Sequence, residues 1–598
     1  MSNQDKNQTV ASVQWKVEPQ VAPSAELQQV ADRLKLHPVI VKLLAQRGMQ
    51  EQKTVEEFLH PSLADLPRPL EMAGMKEAVL LAGGAVLAGE PILIWGDYDV
   101  DGTTGTTLLV SFFQELGVTA KYIIPNRITH GYGLHVDLLH SIAPVSPDHK
   151  TLLITVDCGI SANEEILAAQ KMGFKVLVTD HHEPPAGIFS ADAILNPKQS
   201  ACTFPTEELA GVGVAFYLAC GIRQYLREKG FFKQGRSEPD VRDLLDLVAL
   251  GTIADMVPLG KVNRILVKEG MQSIEQQKRA GIRAMLGVSG LLNDQKKTIS
   301  AISSGDIGYL LAPMINAAGR LAEADLAVQL LLSRDLAQAT ERAQKLLALN
   351  SERKKIGQDV YARAVTLQEQ KDLIGNCLIL SGDFHHGVIG IVASRLVEKF
   401  HLPVIIFGQE KDSQGKMVFK GSGRSVPGVN LHAVLEGCSE TMIRFGGHAM
   451  AAGMSVSEDL FDLFSRKVDE EIGKQTKDAA PVATLSIDLE ADIDEIFTAD
   501  CSRQMQLLEP FGPGNRSPVF YTRSPKLIEA RAVGAERMHL KMSFQSNNAI
   551  QKGVGFGLGS YLPSLHQNNN PQIAFAPMAN RYRGIHIWEV KVVGIKFP

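Results

Sequence analysis

A chain of 598 residues is too long for one hydrophobic core, and 45% apolar against 21% charged residues predicts a globular protein of three or four domains. No uninterrupted apolar run approaches the roughly 20 residues that cross a bilayer, so no membrane contact is expected, and the polar opening MSNQDKNQTVASVQW does not read as a secretory signal. The net charge of −5 does not announce a nucleic-acid binder, yet eleven Lys/Arg against three Glu between Arg516 and Pro598 make that end strongly basic.

Residues 1–74 read as a polar tail and short helices, with Pro61, Pro67 and Pro69 as breakers. An alternating α/β pattern follows. Ile92–Trp95 predicts a strand ending in Gly-Asp, and Leu108, Leu109, Phe112, Phe113 and Leu116 recur at helical spacing. Leu152–Val156 predicts a second strand, Glu164–Met172 a helix and Phe174–Thr179 a third strand, hence a parallel sheet covered by helices. Residues 207–290 read as mostly helical, and 335–371 as one long helix bridging two domains. From Cys377 the runs CLILSG, GVIGIVASRLVEKF and PVIIFG predict a second α/β domain to about residue 475. KQTKDAAP (474–481) reads as a linker. The short runs Val482–Ile487, Val519–Thr522, Leu540–Phe544 and Ile585–Val590 predict a small antiparallel β-barrel or sandwich. The expected segments are therefore 1–74, 75–334, 335–372, 373–475 and 480–598. Six scattered cysteines without a CxxC pair fit a reducing cytosol and argue against a zinc knuckle.

The three predicted strands of the first domain end in Gly-Asp97-Tyr-Asp99-Val-Asp101-Gly, Val-Asp157-Cys-Gly and Thr-Asp180-His181-His182. Open α/β sheets bind ligands outside the carboxyl ends of their strands, so these residues converge on one rim. Clustered carboxylates repel one another and raise each other's pKa unless a divalent cation removes the penalty. Imidazole among the carboxylates favours Mn²⁺, with Mg²⁺ the second choice. Gly102 is expected to allow a tight turn, and Thr103–Thr107 to open a helix whose N-terminus could hold an anion. Asp255, in the apolar segment LLDLVALGTIADMVPL, needs a partner that a metal would supply. Taken singly each feature has a plainer reading. DxDxDG could be a calcium loop, but Leu108 stands where that loop needs glutamate. DHH could be a solvated turn, Asp157 a helix cap and Asp255 a buried cap. Four such coincidences together favour the metal.

DYDVDGTTG (97–105), VDCG (156–159), VTDHH (178–182) and GTIADMVPLG (251–260) resemble, in order and spacing, the four motifs of the DHH phosphoesterase family, in its branch of bacterial single-strand-DNA exonucleases. INAAGR (315–320), GSGRS (421–425) and FGGHAMAAG (445–453) extend the resemblance through a DHH-associated domain. It implies a parallel-sheet catalytic domain and a second α/β domain joined by a long helix, then an oligonucleotide-binding (OB) barrel. It further implies a first cation on Asp99, with Asp97 there directly or through another ligand. A second cation would lie on Asp101, His181 and Asp255, with Asp157 bridging both. His182 and His448 would face the reacting phosphate, and Arg127, Arg320, Ser422 and Arg424 would contact substrate phosphates, the terminal 5′ phosphate included. The activity implied is stepwise 5′-to-3′ hydrolysis of single-stranded DNA to 5′ mononucleotides in repair and recombination, beside helicases and single-strand-binding protein; a cytoplasmic location is expected from the cysteines, and a monomer is the favoured state, which the sequence does not fix. Among the aromatics Phe520, Tyr521, Phe544, Phe556, Tyr561, Tyr582 and Trp588, more than half are expected in the barrel core. Arg581, Tyr582 and Arg583 are the foremost candidates for nucleic-acid contact. Deleting 485–598 is expected to weaken DNA binding and spare the metal site. The alternatives are a phosphodiesterase for short or cyclic oligonucleotides, which needs no basic third domain, and a non-catalytic replication scaffold, which needs no complete ligand set.

Overall fold

Five short strands, β1 (Ile92–Gly96), β2 (Ala120–Ile123), β3 (Leu152–Val156), β4 (Lys175–Thr179) and β5 (Ala193–Leu195), form an all-parallel sheet in the order β2-β1-β3-β4-β5. Every residue of β1 and β3 is buried, as expected of strands covered on both faces. The register pairs Ile92 with Leu152 and Gly96 with Val156, so β1 and β3 end level with each other. Strand order reverses between these two, and that switch point is where such sheets open a crevice. The structure is a computed structural model that describes residues 13–597, except 143–150, 186, 188–189, 234, 294, 296, 371–374, 412–414, 477–483, 535–536, 547–548, 568–569 and 583–584. Part of the expected linker therefore lies outside the described residues.

The chain divides into two units, one built on residues 16–319, 323–347 and 486–598, the other on 320–322 and 348–485. In the first unit, three N-terminal helices, α1 (Ala25–Leu34), α2 (Pro38–Gln46) and α3 (Gln52–Leu59), precede the parallel sheet. Ser24 caps α1 through its side chain, and Pro38 sits at the first position of α2, where its missing N–H is harmless. Around the sheet lie α4 (Val100–Glu115), α5 (Asn163–Lys171), α6 (Gly211–Glu228), α7 (Leu245–Asp255) and α8 (Lys261–Gln276). The long helix α9 (Leu336–Glu369) spans 34 residues; it begins in this unit and ends in the other.

In the second unit, β6 (Leu378–Gly382), α10 (His386–Phe400) and β7 (Val404–Lys411) form a parallel β-α-β turn. Then β8 (Met417–Arg424), β9 (Arg444–Gly447) and β10 (Ala451–Ser457) add antiparallel strands in the order β9-β10-β8-β7-β6.

The C-terminal strands β11 (Leu489–Glu490), β12 (Phe520–Thr522), β13 (Leu527–Val533), β14 (His539–Ser546), β15 (Ala549–Gly555), β16 (Gln572–Tyr582) and β17 (Ile585–Lys596) make one sheet in the order β11-β12-β16-β17-β15-β14-β13. The expected antiparallel barrel is corrected in one respect: β11 pairs parallel with β12, and β15 with β17. Phe520 and Phe544 are fully buried and Tyr521 nearly so, Tyr561 packs against the core, and Phe556 is 55% exposed. Arg581 and Tyr582 end β16, with Arg581 in register with His586, while Arg583 lies outside the described residues. The core under this sheet is shared with the N-terminal helices: Leu27, Ile40, Leu43 and Val55 pack in one cluster with Phe520, Phe544 and Phe575. At about 1.5–3 kcal/mol per buried side chain, these contacts make α1–α3 dependent on the C-terminal sheet. Deleting 485–598 would therefore unroof those helices, and the simple truncation expected from the sequence is not a clean test.

Candidate active site

The rim of the first sheet gathers the acidic and imidazole groups. The β-ladder runs one residue past each strand: Asp97 N–H donates to the Val156 carbonyl, Asp157 N–H to Thr179 and Asp180 N–H to Leu195, at 3.2, 3.0 and 3.0 Å. Directly after, the backbone at Asp157 turns left-handed with φ 61°, a conformation that costs on the order of 1–3 kcal/mol and is found at functional sites.

Asp99 caps α4, accepting from the N–H groups of Asp101 and Gly102 at 2.8 and 3.1 Å. The amides expected to hold an anion are thus taken by the protein's own carboxylate. Gly102 is helical rather than part of a turn; it is required because a Cβ there would lie 2.5 Å from the Asp97 carbonyl oxygen. The same close approach recurs at Gly211, where a Cβ would sit 2.7 Å from the Asp157 Cβ.

Asp101 is buried and accepts from the N–H groups of Gly211 and Val212 at 2.6 and 2.8 Å, at the start of α6. Hydrogen bonds to a charged group contribute about 1.5–3 kcal/mol each. Burying a carboxylate costs several kcal/mol, and Asp255 and Asp99 add repulsion. The balance stays against ionisation, so burial and then those neighbours push Asp101 well above the usual carboxylate range. Asp97 and Asp157 are pushed up likewise, by burial first and neighbouring aspartates next. Burial, then the charge of Asp99, raises Asp255 to about 7. His181 goes the other way: burial lowers it to about 3, leaving a neutral imidazole with a lone pair to give.

Nε2 of His181 lies 3.0 Å from Asp157 Oδ1, 3.7 Å from Asp101 Oδ2 and 3.6 Å from Asp255 Oδ2. A ring nitrogen ringed by carboxylate oxygens marks the centre of a cation site. Asp97 Oδ1 and Asp255 Oδ2 are buried with no hydrogen-bond partner, an expensive condition in an apolar surround that a cation relieves. Ligand atoms within 4.8 Å of one another form three groups: Asp97, Asp99 and Asp157; Asp101, His181 and Asp255; and Asp157, His181 and His182. Asp157 belongs to the first and third and lies 3.0 Å from the histidine of the second. The residues present fit a pair of divalent cations.

Asp180, a residue without an assigned role in the sequence, accepts from the N–H groups of Ile160, His181 and His182 and pairs with His182 Nδ1 at 2.7 Å. Burial would lower His182, but the hydrogen bond and charge of Asp180 outweigh it and the histidine is raised; Asp180, also buried, is lowered in return. Tyr132 was likewise missed. Its hydroxyl donates to the Asp157 carbonyl at 3.0 Å and lies 3.2 Å from His182 Nδ1. Both carried a signal, since Asp180 is the first letter of DHH and Tyr132 follows Arg127, an expected phosphate contact, by five residues. Arg127, from the same loop, stacks over the Tyr98 ring at 4.9 Å.

The remaining predicted phosphate contacts lie in the other unit. Arg320 donates to the Gly387 carbonyl at 3.1 Å, at the start of α10. Ser422 and Arg424, joined at 3.1 Å, lie against Gly390 one turn on, where a Cβ would meet each at 2.9 Å. His448 is exposed in the turn before β10, and Ala451 of that strand pairs with Arg424. Arg320, Ser422 and Arg424 thus gather around the first turn of α10, where helix amides favour anions.

Three family models match the chain: the DHH family N-terminal domain over residues 91–252, the DHHA1 domain over 373–474 and the RecJ OB domain over 487–593. The single-stranded-DNA-specific exonuclease RecJ of Bacillus subtilis is 36% identical over 554 residues, covering 92% of this chain and 66% of the relative. That of Escherichia coli is 35% identical over 575 residues, covering 94% of this chain and 96% of the relative. The crystal structure of Thermus thermophilus RecJ in complex with Mn²⁺ matches with a TM-score of 0.79 at 30% identity, over 98% of this chain and 80% of that one. The corresponding Mg²⁺ complex matches at 0.74 and 28%, over 98% and 79%.

Proposed function

Because this chain belongs to the RecJ family of single-stranded-DNA-specific exonucleases, we propose that it hydrolyses single-stranded DNA from the 5′ end to 5′ mononucleotides, in DNA repair and recombination. The observation that carries the reading is Asp157, one buried carboxylate within reach of both ligand groups. Asp97, Asp99 and Asp157 would hold one divalent cation, and Asp101, His181 and Asp255 the second, with Asp157 between them. Bound there, Mn²⁺ or Mg²⁺ supplies a water acidified toward neutrality and a positive field for charge building on the phosphoryl oxygens. Neutral His181 gives its lone pair without first shedding a proton. Asp180 engages His182 at Nδ1, which leaves Nε2 as the ring atom to meet a phosphoryl oxygen. The hydrogen bond and charge of Asp180 raise His182, which favours the protonated ring that could donate there. Arg127, Arg320, Ser422, Arg424 and His448 bind substrate phosphates, the arginine forks matching two oxygens at once. Arg581, Tyr582 and Arg583 in the basic C-terminal domain bind the strand further along.

The same reading makes the enzyme a cytoplasmic monomer whose substrate is exposed by helicases and single-strand-binding protein. The six cysteines are all free, which fits a reducing compartment. The test is digestion of end-labelled single- and double-stranded DNA of several lengths with Mn²⁺, Mg²⁺ or chelator. Metal-dependent release of mononucleotides from single strands, faster on long ones and starting at the 5′ end, is expected. Activity confined to dinucleotides, or undiminished in chelator, contradicts the proposal.

A further inference from the structure

We propose that the side-chain amide of Asn263 is a positioning residue for the Asp101–His181–Asp255 cluster, holding together the two loops that shape it. The inference rests on the two-cation reading above and deepens it.

Two segments build that cluster. The first is the loop before α6, whose amides at Gly211 and Val212 hold the Asp101 carboxylate. The second is the turn after α7, where Asp255 is the last helical residue and Met256 turns left-handed at φ 61°. Neither loop is tied to the other by its own main chain. Asn263, in the first turn of α8, is 2% exposed and makes the tie. Its Nδ2 donates to the Glu208 carbonyl, three residues before Gly211, and to the Pro258 carbonyl at 2.9 Å, three residues after Asp255. Both protons of one amide are thus spent on carbonyls from the two segments. The turn is braced from outside as well, since Leu259 N–H donates to the Pro513 carbonyl at 2.8 Å.

No other neutral side chain of this size offers two donors from one nitrogen. Without the amide, two buried carbonyls lose their partner and the loops can part. The first ligand group, Asp97, Asp99 and Asp157, takes no ligand from either loop, though Gly211 abuts it at Asp157. Loss of Asn263 should therefore weaken one cation and spare the other, whereas general destabilisation would not discriminate.

The full-length wild type, Asn263→Ala and Asn263→Ser are stripped of metal and titrated with Mn²⁺ by electron paramagnetic resonance, with thermal melts alongside. The wild type should take up two Mn²⁺ and show the exchange-coupled spectrum of a pair. Asn263→Ala should keep the first midpoint and require about 10- to 100-fold more Mn²⁺ for the second, as expected when support behind a ligand is removed. Asn263→Ser, which keeps one donor, should fall between. A folded Asn263→Ala that takes up both cations at wild-type midpoints overturns the assignment. Loss of the folded state in both variants also overturns it, because the amide is then a structural tie alone. A wild type that takes up fewer than two cations refutes instead the two-cation reading.

Discussion

The two α/β sheets use their polar strand ends in opposite ways. At the rim of the first, Asp97, Asp101 and Asp157 are almost wholly buried, two carboxylate oxygens (of Asp97 and Asp255) have no hydrogen-bond partner, and burial with mutual repulsion pushes the three buried carboxyls well above the usual carboxylate range. In the second unit Ser422 and Arg424 are half-buried, already hydrogen-bonded, and set against a helix N-terminus. The first arrangement is unstable until a cation completes it. The second is ready for an anion as it stands. Stability has been given up at the rim proposed to do the chemistry and retained at the helix N-terminus proposed to hold substrate.

Removing Asp157 should produce the largest effect. Asp157→Ala removes the carboxylate common to both cation sites, and release of labelled nucleotide at saturating Mn²⁺ should fall on the order of 10⁴-fold. A variant within tenfold of wild type would erase the contrast between the sheets. Next comes Gly211→Ala. Its methyl would press on Asp157 and the Asp101 carboxylate, and a displacement on the scale of 1 Å costs on the order of 10²-fold in rate. Steady-state kinetics with a Mn²⁺ titration checks this, and both kcat and metal affinity should drop.

The pH dependence of metal uptake sharpens the same contrast. Asp255 keeps its proton to about pH 7 when folded and metal-free, against an ordinary 3.8. That raised value contributes stability below about pH 4, which is lost as pH rises through about 7, so the metal-free protein should melt lower at pH 7 than at pH 5. Mn²⁺ must displace the proton, so its binding midpoint by calorimetry should be about tenfold higher at pH 6 than at pH 8. Arg424→Ala should behave differently, raising KM about tenfold with kcat nearly unchanged, chiefly on 5′-phosphorylated ends. A fall in kcat alone would place Arg424 at the reacting phosphate. The smallest effect is expected at exposed Lys541 and Lys552, which the β14–β15 register sets on one face of the C-terminal sheet. Replacing both with Ala should lower the salt slope of single-strand binding by about 1.4.

What the sequence displayed, and what it hid, follows from which groups do the work. Asp97, Asp99, Asp101, Asp157, His181 and Asp255 stood out because their side chains carry charge at strand and helix ends. The structure brings them within a few ångströms. The support beneath them is mostly main chain, and the amides of Gly211 and Val212 have no signature in a residue string. Gly102 was visible but misread, because a glycine gives no sign whether it serves a turn or a close approach. The C-terminal sheet showed the same limit. Its buried alternation was legible, as in Leu540, Met542 and Phe544, but the parallel junctions were not, since they depend on contacts between segments far apart in sequence. So does the shared core with α1–α3, where His37 N–H reaches Gln504 Oε1 across 467 positions.

Anomalous diffraction from crystals soaked in Mn²⁺ tests the central claim most directly. Two peaks should appear, each within about 2.0–2.4 Å of an Asp157 oxygen, one of them also met by His181. A single peak, or a pair that Asp157 does not join, would contradict the account.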